Sequence, residues 1–126
     1  MQRFAIAVGA VVAIAIASLL AIVGASAAPS LGIAAPFCGI AVGAFLAGKM
    51  AKYAGAYHGA LVAVGYVIVE AIGLAPPPLE AREGGITEGV LIIVGDVLLL
   101  LWGAFVGRIA APRAAPSSSS DRGRGR

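Results

Sequence analysis

Two carboxylic acids stand inside runs of apolar residues, where an acid is expensive. Asp96 lies in Ile86–Arg108, about ten residues from its start, near the middle of a segment long enough to cross a bilayer. An ionised Asp at that depth costs at least ~2.5–3.5 kcal/mol on insertion scales, so its presence calls for a reason. Glu70 lies near the end of another apolar run, one helical turn beyond Tyr66. At 100° per residue, Gly59, Ala63, Tyr66, Glu70 and Gly73 share one stripe, and Gly89, Asp96, Gly103 and Gly107 share another. Both acids thus fall on faces rich in small residues, away from the side carrying Val94, Leu98, Leu101 and Phe105.

This arrangement has two readings. In the first, Asp96, Tyr66 and Glu70 line a proton or cation path opening outward, as intramembrane carboxylates on protein-facing stripes often do. In the second, Asp96 is a neutral acid that hydrogen-bonds one helix to another, with Tyr66 and Ser18 as partners, while Glu70 reaches the interface. His58 stands beside Tyr53, Tyr57, Lys49 and Lys52. It is either a proton donor at an inner mouth or part of an interfacial belt of aromatic and basic side chains, to which Trp102 also belongs. Cys38 has no second cysteine to pair with and reads as a small packing residue inside a helix.

The elements that must hold these residues follow from composition. The chain has 126 residues, 60% hydrophobic and 12% charged, with a mean hydropathy of +1.00. A soluble domain carries roughly a quarter charged residues. From Phe4 to Gly48 there is no ionisable Asp, Glu, Lys, Arg or His side chain. Lipid is the solvent that suits such a run, and four segments approach the ~20 apolar residues of a membrane helix. They span about 4–25, 31–50, 54–74 and 86–108, separated by Ala28-Pro29-Ser30, by Lys49 to Tyr53, and by the Pro-rich acidic loop from Ala75 to Gly85. The expected fold is all-α, a four-helix transmembrane bundle over residues 1–112, with a disordered basic tail over 113–126.

Eight of the nine Lys and Arg residues fall on one side if the helices alternate, with Arg82 the exception. The positive-inside rule then places both termini in the cytoplasm of a cell-membrane protein. Ala25-Ser26-Ala27 also fits a signal-peptidase site, a rival reading in which residues 1–27 are cleaved; the long apolar core argues against it. The net charge of +3 does not point to nucleic acid, because the basic residues sit at helix ends and in the tail. The tail arginines suit anionic lipid headgroups, at about 1 kcal/mol each near the surface.

In lipid, helices associate through close contact at small residues. Four-residue spacing of such residues recurs as Ala5, Gly9, Ala13, Ala17, Ala21 and Ala25; as Ala35, Gly39, Gly43 and Ala47; as Gly55, Gly59 and Ala63; and as Gly103 and Gly107. Gly39–Gly43, Gly55–Gly59 and Gly103–Gly107 are therefore the expected packing sites, within the bundle, in a homo-oligomer or against a partner membrane protein.

Gly39 to Gly43, Ala47-Gly48-Lys49, Gly55-Ala56-Tyr57-His58-Gly59-Ala60-Leu61 and Tyr66 together resemble families of small, uncharacterised four-helix bacterial and archaeal membrane proteins. In these a Gly-rich second helix ends in A-G-K/R and a G-x-x-H-G-A-L segment opens the third. The resemblance covers about the central 35 residues and implies a four-helix membrane fold without an activity. Rotary-ATPase proteolipids share a mid-membrane carboxylate in the last helix but have a dense G-x-G-x-G run that is missing here. Small multidrug transporters place their glutamate in the first helix, which here has no acid. No cofactor, metal or enzymatic site is expected: one His, one Cys and no phosphate loop leave nothing to build it from.

Overall fold

The computed structural model describes residues 2–27, 29–51, 53–76 and 85–112. Four helices form: α1 (Gln2–Ala27), α2 (Pro29–Met50), α3 (Gly55–Ala71) and α4 (Ile86–Ala110), and no strand is present among the described residues. α1, α2 and α4 are long and apolar enough to cross a membrane, whereas α3, at 17 residues, is shorter. Eight of the 26 residues of α1 are β-branched, a modest handicap for a helix in water. In lipid a helix satisfies every backbone group within one segment, which overrides that preference.

The helix ends have local causes. The first break is tighter than the sequence implies, because Pro29 and Ser30 belong to α2, with Pro29 at the first helical position where its missing N–H is harmless. α3 opens after Ala54, which adopts the left-handed conformation (φ 55°, ψ 48°). It closes at Ala71 rather than near Leu74. Gly73 takes φ 77°, its N–H donates to the Glu70 carbonyl at 2.7 Å, and the Leu74 N–H donates to the Val69 carbonyl at 3.0 Å. This Schellman ending uses the one residue without a Cβ penalty, and it stops the helix before the prolines do. α4 ends at Ala110, ahead of Pro112. The predicted tail, 113–126, and most of the acidic loop lie outside the described residues.

Packing follows the small residues. A Cβ at Gly43 would strike the Gly9 carbonyl oxygen, one at Gly39 the Ala13 carbonyl oxygen, and one at Gly9 would come 2.7 Å from the Gly43 carbonyl oxygen. α1 and α2 are therefore antiparallel with backbones in contact. α3 and α4 meet in the same way, with Gly55 against Gly107 and Gly59 against Gly103. Gly48 of α2 also meets Gly107. The Trp102 indole N–H of α4 donates to the Phe37 carbonyl of α2 at 3.0 Å, so α2 and α4 run in the same direction. Among the described residues α1 does not touch α4, while α2 and α3 each touch all the other helices. The bundle is thus a rhombus whose short diagonal is α2–α3. Its core is Ala13, Ala17, Ile40, Ala44, Ala47, Val62, Ala63, Tyr66 and Leu99.

Candidate functional site

The glycine contacts set the register of the α3–α4 seam. Gly55 opposes Gly107 and Gly59 opposes Gly103, and Ala63 follows within reach of Gly103. Carried one turn further out, this antiparallel register brings Tyr66 level with Asp96 and leaves Glu70 one turn beyond. The inner half of the seam is closed by backbone contact. Its outer half holds the three polar side chains.

Tyr66 is fully buried, and its hydroxyl donates to the Pro76 carbonyl at 2.8 Å. It does not bond Asp96, as the helix-linking reading expected. Ser18 cannot serve either, because it lies on α1, which makes no contact with α4. Glu70 and Asp96 are each half-buried. Glu70 Oε2 and Asp96 Oδ1 are buried without a hydrogen-bond partner among the described residues. Glu70 therefore turns an oxygen into the protein, where the helix-linking reading had it reach the interface. Two buried oxygens left open are sites that water, a proton or a cation satisfies.

His58 departs from the belt reading. Its ring is 3% exposed, while Tyr53 and Tyr57 beside it are exposed and remain at the surface. Nδ1 lies 3.0 Å from the Ala54 carbonyl, which also accepts the His58 backbone N–H at 3.2 Å. A carbonyl only accepts, so Nδ1 carries the hydrogen of this bond. Nε2 is buried without a partner among the described residues. The ring thus holds the strained left-handed residue that begins α3. Lys49, by contrast, lies at the surface with Nζ 5.5 Å from the centre of the Phe45 ring.

Three further expectations change. Cys38 is exposed rather than packed, because the buried face of α2 is occupied by Ala35, Gly39, Gly43 and Ala47. Gly89 is exposed with nothing within 4 Å of a Cβ placed on it, and the buried stripe of α4 is Gly95, Leu99, Gly103 and Gly107. Trp102 bonds from α4 to α2, a contact that the belt reading did not include. Sequence reasoning missed Pro76 as the Tyr66 acceptor and Gly48 as a contact of α4. The signal for Gly48 was its small size alone, since it lies off the stripe of Gly39 and Gly43. Among the described residues no three His, Cys, Asp or Glu side chains gather to hold a metal ion.

Comparison of the chain with protein-family models, with curated proteins and with solved structures finds no match.

Proposed function

We propose that the chain is a non-enzymatic multi-pass protein of the cell membrane, crossing it four times with both termini cytoplasmic, whose small-residue helix faces pack against one another and against a second copy or partner helices. The observation that carries this reading is the reciprocal backbone contact of Gly59 with Gly103 and of Gly43 with Gly9, the mode of association that lipid favours. Leu98, Leu101 and Phe105 lie outside that contact, exposed as lipid-facing side chains are. The likeness to small four-helix membrane families belongs to this proposal. Carbonate extraction and protease protection of tagged termini test it: the chain should stay in the membrane pellet with both tags shielded in intact cells. Release into the carbonate supernatant, or one tag digested from outside, would overturn it.

A second reading gains from the open oxygens of Glu70 and Asp96. In an oligomer the trio Asp96, Tyr66 and Glu70 would conduct protons or small cations. Asp96→Asn keeps the shape of the side chain and removes its charge. Proton flux in liposomes should fall at least tenfold, and equal flux in wild type and variant would remove this reading. Cross-linking in native membranes supplies the companion test, since a strict monomer offers no pore.

A further inference from the structure

α3 is too short for its surroundings, and the consequence lies at its outer end. Val62 of α3 meets Gly9 of α1, which puts these residues at one level. From there α3 rises about 14 Å to Ala71, whereas α1 rises about 27 Å to Ala27 and α2 about 21 Å to its first residue. On the other side α4 continues about 8 Å past the end of α3, measured from the Gly59–Gly103 contact. Ile22, Val23, Leu31 and Ile33 lie in that outer third and are exposed. Such side chains belong in lipid, so the hydrocarbon extends well beyond the last turn of α3.

The chain from Ile72 to Pro76 is therefore non-helical backbone at membrane depth. Ile72, Gly73 and Leu74 are exposed, and among the described residues no donor reaches the carbonyls of residues 71–75. Backbone of this kind cannot face lipid, where each open carbonyl costs several kcal/mol. It is found only against protein or along a water-filled cavity. The Tyr66 hydroxyl occupies the Pro76 carbonyl, and immediately below lie the open oxygens of Glu70 and Asp96.

We infer that the early end of α3 creates a water-filled vestibule on the outer side of the bundle, floored by Glu70 and Asp96 and walled by the outer turns of α2 and α4. The water in it hydrates the open carbonyls of residues 71–75, while Glu70 Oε2 and Asp96 Oδ1, which have no accessible surface, lie beneath it. Its inner limit is the dry Gly59–Gly103 contact, where the helix backbones touch. The inference rests on the membrane reading but not on conduction: a vestibule closed at its floor hydrates the backbone at the end of α3 without passing ions.

Cysteine accessibility tests it. In a Cys38→Ser background, Glu70→Cys and Ala75→Cys are treated with a membrane-impermeant charged thiosulfonate from the outer side of sealed cells. Ala15→Cys, exposed on α1 at nearly the depth of Glu70, is the lipid-facing control. Leu99→Cys, fully buried below the floor, is the dry control. Both test positions should label at least tenfold faster than both controls. Labelling of Glu70→Cys and Ala75→Cys no faster than Ala15→Cys overturns the vestibule. Fast labelling of Ala15→Cys instead removes the membrane reading itself. Ala75→Cys leaves both acids intact, so it decides the matter if Glu70→Cys fails to fold.

Discussion

Replacing Gly59 by alanine adds one methyl group at the point where α3 and α4 come closest. The new Cβ would strike the Gly103 carbonyl oxygen, and would lie 2.9 Å from the Gly103 carbonyl carbon and 3.0 Å from the Gly107 Cα. Ordinary contact begins near 3.4 Å. None of these atoms is the tip of a flexible side chain, so the backbones must separate by about 1 Å, and overpacking of this kind costs about 1–3 kcal/mol. Separation also loosens Gly55 against Gly107, since both contacts belong to one seam. Gly103→Ala should therefore cost a similar amount, and the double variant should cost clearly less than the two single effects combined. Gly89→Ala is the control: with nothing within 4 Å of its Cβ, it gains helix propensity and should be neutral or stabilising by up to about 1 kcal/mol. Unfolding of purified protein in mixed micelles, followed by circular dichroism against the mole fraction of SDS, measures all four variants. A midpoint for Gly59→Ala equal to wild type would refute the seam, as would Gly89→Ala proving equally damaging.

Tyr66→Phe removes the donor to the Pro76 carbonyl and should cost about 1–3 kcal/mol in the same titration, because an interior carbonyl is left open. Trp102→Phe deletes the bond to Phe37 but keeps most of the ring; a loss of about 0.5–1.5 kcal/mol is expected. His58→Phe should destabilise by a similar amount, since the left-handed Ala54 loses its side-chain partner while the buried volume is kept. Native Cys38 is exposed on a helix read as lying in lipid, so it should react with an apolar membrane-permeant maleimide and resist an impermeant one. Mass spectrometry of intact protein reads that difference.

Much of the candidate site was legible before any coordinates. Of the stripe Gly59, Ala63, Tyr66, Glu70 and Gly73, the first four are buried or half-buried as their angular position required, while Gly73 lies beyond the end of α3 and is exposed; Val94, Leu98, Leu101 and Phe105 are exposed. A helix has a fixed angle per residue, so its faces can be read from spacing alone. Which face meets which neighbour cannot. Gly89 shares the angle of Gly103, yet it sits beyond the reach of α3, and only the length of α3 decides that. Cys38 and His58 were misjudged for the same reason. Residue type gives an average preference for burial, while the occupied faces of α2 and α3 decide the individual case.

Composition and periodicity by themselves determined an all-helical chain with four apolar segments, the small-residue faces along which they pack, and the two acids within them. Those properties are local, set by side-chain chemistry and by 3.6 residues per turn. The tertiary structure alone decided that α1 does not touch α4 among the described residues, and that Tyr66 turns to Pro76 instead of Asp96. It also ended α3 at Ala71, because Gly73 adopts a left-handed turn that a run of apolar residues gave no reason to expect. It likewise left Glu70 Oε2 and Asp96 Oδ1 buried without a partner among the described residues, which depends on packing and not on the helical period.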